Sequence, residues 1–124
     1  MISDWSKYPN FTKSEFDCKY TKENDMQPYF MEALQALRTD YGRPIFPSSG
    51  FRSIHHPEEA RKQNPGYHTK GIAVDIPCHS DTAYILISLA FKHGFTGIGV
   101  SQRNGVPRFI HLDMRADVPR VYSY

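Results

Sequence analysis

The sequence predicts one α+β domain spanning residues 1–124, and three features carry that prediction. Residues 71–76 and 108–114 alternate in character. Ile72, Val74 and Ile76 share one side against Ala73 and Asp75; Ile110, Leu112 and Met114 share one side against Phe109, His111 and Asp113. A period of two is that of a strand with one face on a core. Apolar residues three and four apart mark helices ahead of and between these stretches. Asn104-Gly105, a strong hairpin signal, joins the second stretch to a strand-like run at 95–101, so those two are expected as antiparallel neighbours. A chain of 124 residues buries roughly two-thirds of its unfolded surface, enough for a core without staples.

The elements follow in order. Residues 1–11 read as an irregular arm carrying Trp5, Tyr8 and Phe11. Thr12-Lys13-Ser14-Glu15 matches a capping box, in which hydroxyl and carboxylate satisfy each other's backbone donors, so a short helix starts there. Residues 19–27 are polar and read as loop. Pro28 suits the first turn of a helix, where its missing N–H has no partner to lose. Phe30, Leu34, Leu37 and Tyr41 then share a face, and Gly42 is the stop. This helix reads as scaffold. Residues 43–52 form an extended piece entering a glycine turn, with Arg52 just beyond it. His55-His56-Pro57-Glu58-Glu59-Ala60 is a helix start, with proline early and acids in the first turn. Its histidine pair is expected in a cap or a loop hydrogen bond. Gln63-Asn64-Pro65-Gly66 ends that helix and leads into His68. Ser80 or Asp81 caps a further helix with Ala83, Leu86, Ile87 and Ala90 as its buried stripe; Lys92 and His93 suit its C-terminal dipole, and Gly94 stops it. His93 reads as structural. Gly97 and Gly99 permit close approach to the strand that holds them. The tail, 116–124, is expected to pack through its aromatic residues.

The formal charge of +2 is too small to argue for nucleic acid, and no such partner is expected, although it mildly favours an acidic one. Eight tyrosines and eight phenylalanines suit a groove that grips an extended polymer, and equally a small core built from large side chains. Cys18 and Cys78 fit no zinc-ribbon spacing and read as two buried, idle thiols. Met1-Ile2-Ser3-Asp4-Trp5 lacks a basic region followed by an apolar run. Neither a secretory signal nor a membrane span is expected, and so no membrane partner. The protein is expected in the cytoplasm as synthesised, or exported by a route the chain does not encode.

The chemistry sits on the two alternating stretches. Each is backed by apolar residues and presents metal-capable side chains on its other face. His68, on the loop before the first, joins Asp75 and His111 as a candidate zinc site of two histidines and a carboxylate, the donor count of a catalytic rather than a structural site. Arg52 reads either as a surface arginine or as a fixed guanidinium whose planar fork binds a carboxylate.

In chain order, Ser49-Gly50-Phe51-Arg52, His68-x-x-Gly71-x-Ala73-x-Asp75 and Phe109-Ile110-His111-x-Asp113 resemble the hedgehog/D-Ala-D-Ala-peptidase superfamily, zinc peptidases that cut bacterial cell-wall peptides. The Phe-Ile-His-Leu-Asp run is similar to that of small phage- and prophage-borne members of the D-Ala-D-Ala carboxypeptidase-like and endolysin type. The resemblance spans nearly the whole chain, from Thr12 to the closing Tyr122-Ser123-Tyr124. It implies that His68, Asp75 and His111 hold Zn2+ and that Arg52 holds a substrate carboxylate. It implies a small antiparallel sheet with helices on one face and a zinc cleft on the other. The activity it implies is zinc-dependent hydrolysis of amide bonds in peptidoglycan peptides, by a carboxypeptidase or an endopeptidase, with virion or tail components as further partners and release to the cell wall. One departure matters. Many members place an acid three residues before the last histidine, and others a histidine two before; here those positions hold Arg108 and Phe109. Asp113 is the nearest carboxylate on the same face, either as general base or as a group orienting a ligand histidine. The rival from another class is a cell-wall-binding or virion structural module of the same fold.

Overall fold

The elements form where local chemistry asks for them. In the computed structural model, which describes residues 1–63 and 66–124, Thr12 opens helix α1 (Lys13–Phe16), its N–H donating to Glu15 Oε1 at 2.8 Å. Helix α2 (Pro28–Tyr41) starts on its proline and stops at Gly42. Helix α3 (Pro57–Ala60) is capped by His56, whose Nδ1 accepts from the Glu58 N–H at 3.0 Å. The helix stop expected over 63–66 falls partly on Asn64 and Pro65, outside the described residues. Helix α4 (Ser80–Lys92) begins one residue earlier than the sequence suggests, with His79 as its cap. The cause is Thr82, whose Oγ1 reaches back to accept the His79 N–H at 2.9 Å, the part a glutamate plays in a capping box. His93 is structural: its Nε2 lies 3.0 Å from Asp40 Oδ2, which also takes Lys92 Nζ at 2.8 Å, so the end of α4 is tied to α2. Both thiols are free and buried.

Strands β1 (Ala73–Pro77), β2 (Gly97–Arg103), β3 (Val106–Asp113) and β4 (Arg120–Ser123) form a sheet in the order β1-β3-β2-β4. Asn104-Gly105 turns β2 into antiparallel β3, and β3 pairs antiparallel with β1. The sheet is mixed rather than purely antiparallel, because β4 runs parallel to β2. The reason is topological. Both edges of β3 are already taken, so the chain reverses after β3, passes the end of β2 and pairs on its far side.

Helix α4 packs on β3 and α2 on α4. Phe30, Leu34, Leu37, Leu86, Val74, Ile76, Ile98, Ile110 and Leu112 are buried in one core. Phe30 meets Phe95 edge-to-face, with ring centres 5.5 Å apart. Each such large side chain contributes about 1.5–3 kcal/mol by leaving water. The arm also joins this core through Tyr8 and Phe11, and α1 through Phe16, all three buried. Among the described residues no helix is long and apolar enough to cross a membrane.

Candidate metal centre

Strand register lays the site out in a row. Asp75 of β1 stands opposite His111 of β3, His111 opposite Gly99 of β2, and Gly99 opposite Tyr122 of β4. Alternation turns these residues to the face away from Val74, Ile110 and Leu112. Ala73, Asp113, Gly97 and Arg120 form the next row on that face. His68 comes from a single 3-10 turn, Tyr67–Lys70, closed by Gly71 at φ 72°. A side chain at 71 would be strained and would collide with the Asp25 carbonyl, so glycine is required there. The Arg52 segment is stitched to the same place. The Asp75 N–H donates to Ser49 O at 2.9 Å, and the Arg52 N–H donates to His68 O at 3.1 Å.

Ligand atoms of His68, Asp75 and His111 all lie within 4.8 Å of one another, and the three side chains are buried. Each imidazole is fixed by one nitrogen and offers the other. His68 Nδ1 is 2.8 Å from Gly50 O; a carbonyl only accepts, so that nitrogen carries the proton, and Nε2 faces Asp75 Oδ1 at 3.4 Å. His111 Nε2 is 2.7 Å from Asp113 Oδ2, which leaves Nδ1 facing Asp75 Oδ1 at 3.1 Å. Burial raises the Asp75 carboxyl, but the His111 and His68 side chains beside it outweigh that and hold the group well below the usual carboxylate range. Burial lowers the basicity of His111, but Asp113 and Asp75 outweigh it and leave the imidazole more basic than usual. Two imidazole nitrogens and one carboxylate, pre-oriented by partners of their own, fit zinc.

Asp113 is sealed behind His111. Arg115 grips it bidentately, Nε to Oδ1 at 2.9 Å and Nη2 to Oδ2 at 2.7 Å, and the Arg115 N–H adds a bond to Oδ1 at 3.0 Å. The carboxylate is wholly buried in the space that Gly97, lacking a Cβ, leaves beside it.

The three possible ligands open onto a cleft of about 510 Å³, into which Arg52, Lys62, Arg115, Arg120, Tyr122 and Tyr124 also face. Arg52 Nη1 donates to Glu59 Oε2 at 2.9 Å and Nη2 to Ser49 Oγ at 3.1 Å; Nη2 is 3.8 Å from Asp75 Oδ2. Glu59 is buried and takes Lys62 Nζ at 3.1 Å and the Gly66 N–H at 2.8 Å as well. Burial raises the Tyr122 phenol above its ordinary value, so it stays protonated at neutral pH.

The structure thus brings His68, Asp75, His111 and Arg52 to one cleft, and sets Asp113 behind it. Sequence reasoning misses Glu59, which looks like a first-turn acid, and Arg115, Tyr122 and Tyr124, which lie where the pattern gives no strand. The available signal is the pair Gly97 and Gly99, which make room for the Asp113 carboxylate and the Tyr122 ring. A family model described as Peptidase M15 matches residues 9–113, a span that takes in α1 through β3 and stops short of β4. No curated protein matches the chain.

Proposed function

We propose that this chain, which belongs to the M15 peptidase family, is a zinc-dependent hydrolase of amide bonds in bacterial peptidoglycan peptides. The supporting observation is the convergence of His68, Asp75 and His111 in a cleft that Arg52 also faces. These three residues would hold the metal. When bound, zinc would polarise the scissile carbonyl and make water a nucleophile near neutral pH. The chain's own residues position everything else. Arg52, braced by Glu59 and Ser49, holds a carboxylate of the stem peptide, and Lys62 and Arg120 add to the positive field that draws it in. Of the two roles open to Asp113, the geometry supports orienting His111. Both its oxygens bond Arg115 and one bonds His111 Nε2, and no part of it reaches the cleft. The Phe109-Ile110-His111-Leu112-Asp113 run is what supports a phage or prophage origin.

One observation favours the rival reading of a cell-wall-binding or virion module without turnover. Arg108 stands where many members carry an acid, and its Nε is tied to Ser101 Oγ at 2.9 Å. Purified peptidoglycan decides between them. Turnover is expected to release free amino groups, to stop on chelation and to return with zinc. His68→Ala, Asp75→Ala and His111→Ala proteins are expected to lose zinc by elemental analysis. Sedimentation with the wall and no release would favour the binding module, and full zinc occupancy in all three variants would sink the site.

A further inference from the structure

The cleft extends past the span that the family match covers. The match ends at Asp113, whereas β4 begins at Arg120. Tyr122 is the β4 residue that enters the row, across Gly99 from His111. Its ring lies down over the sheet. A Cβ at position 99 would sit 2.7 Å from Tyr122 Cζ and 3.0 Å from the hydroxyl oxygen. Glycine at 99 is therefore what lets the phenol lean towards β3, where its ring centre is 6.0 Å from that of His111. The ring is held from several sides. It stacks on Tyr124 at 5.6 Å and 4°, and the guanidinium carbons of Arg115 and Arg120 are 5.7 and 5.4 Å from its centre. Of the other donors in the cleft, Arg115 is committed to Asp113, Arg52 to Glu59 and Ser49, and the Tyr67 hydroxyl to Asp117 at 2.9 Å, whereas Arg120 and Tyr124 stand against the Tyr122 ring itself.

We propose that Tyr122 is a catalytic residue whose hydroxyl donates a hydrogen bond to the carbonyl oxygen of the amide bond being cut, beside His111. This rests on the peptidase reading. Hydrolysis puts the hydroxyl of water on the acyl carbon and a hydrogen on the departing amine. Negative charge builds on the carbonyl oxygen as that carbon becomes tetrahedral. A donor fixed in advance stabilises this charge more than it stabilises the ground state. Tyr122 exchanges no proton and leaves the cycle unchanged.

Tyr122→Phe keeps the ring and its stacking and removes only the hydroxyl. On purified muropeptides kcat is expected to fall on the order of 10²-fold, with KM moving less than about twofold. Affinity for a phosphinate analogue of the bond that the wild type cleaves, read by calorimetry, should fall by a similar factor. Zinc content and Tm should hold. Gly99→Ala, which displaces the ring, is expected to reproduce the loss of kcat. A Tyr122→Phe protein with wild-type kcat and phosphinate affinity overturns the proposal and leaves the peptidase reading standing. So does a loss of zinc or Tm in step with kcat, because the residue is then structural. A wild type that cuts no cell-wall peptide overturns both.

Discussion

Two buried carboxylates support the candidate metal centre, Asp113 through His111 and Glu59 through Arg52, and each is held by an arginine. Asp113 engages Arg115 through Nε, Nη2 and the backbone N–H, and the pair is largely buried, with side chains 0% and 9% exposed, although Arg115 also borders the cleft. Its remaining bond goes to His111 Nε2. Glu59 takes only Nη1 of Arg52, whose guanidinium still faces the cleft, and Lys62 completes the group from a side chain 41% exposed. Its backbone bond goes to Gly66, at the entry to the His68 turn. The same ion-pair chemistry thus serves as a closed brace for a possible ligand in one place and as an open mount for a cleft-facing arginine in the other. What separates them is which partners can reach water once a carboxylate is gone.

The largest expected effect follows from that difference. Asp113→Ala leaves the Arg115 charge and the His111 N–H, both on largely buried side chains, without their partner, so a loss of about 3–5 kcal/mol is expected by urea denaturation. Zinc affinity is expected to weaken roughly 10–100-fold, because the imidazole loses the group that orients it. Glu59→Ala should cost less stability, since Arg52 and Lys62 can turn to solvent, yet lower kcat/KM through the freed guanidinium. Equal stability losses in the two variants would erase the distinction.

Acid sharpens it next. Burial raises the Glu59 carboxyl, but the Gly66 N–H, Arg52 and Lys62 outweigh it and bring the group from its ordinary 4.5 to about 2. A carboxyl depressed by folding contributes stability above its ordinary value and loses it as pH falls towards the folded one. On the order of 2–3 kcal/mol is therefore expected to disappear between about pH 4.5 and pH 2. In Glu59→Gln the stability curve should be lower at neutral pH and shallower across that window, while the Asp113 contribution, likewise depressed, persists. An unchanged acid slope in Glu59→Gln would show that the mount carries no charge-dependent stability.

The two carboxylates also differ in how far the sequence exposes them. Alternation along 109–113 puts Asp113 on the face of His111, and a two-residue offset is enough to make them neighbours. The same local rule brings Asp75 into line, and helix spacing finds α2 and α4. Glu59 has no such rule. Its partners come from the Arg52 turn, from Lys62 and from Gly66, so its burial is a property of three segments meeting. β4 is illegible for a related reason. Arg120-Val121-Tyr122-Ser123 is short and largely exposed, and its parallel pairing with β2 depends on both edges of β3 being occupied. The glycines of β2 announce that something approaches closely, but not which residue does.

Lys62 gives the smallest and most discriminating effect. Its ammonium is 3.1 Å from Glu59 Oε2, but the side chain is 41% exposed, and an ion pair of that kind is worth roughly 0–1 kcal/mol. Lys62→Met keeps the apolar stem and removes the charge, so stability is expected to change by less than about 1 kcal/mol. Lys62 also faces the cleft. If the cleft draws in an anionic peptide, the same change should raise KM several-fold with kcat unchanged, and flatten the dependence of KM on ionic strength. Arg61 is the control. It pairs with Glu58 at 2.7 Å on the same helix end, but it does not line the cleft, so Arg61→Met should move neither stability nor KM. A stability loss in Lys62→Met as large as that of Asp113→Ala would mean that Glu59 is closed in as tightly as Asp113. The open mount would then be a second brace, and Arg52 would have no freedom to meet a substrate.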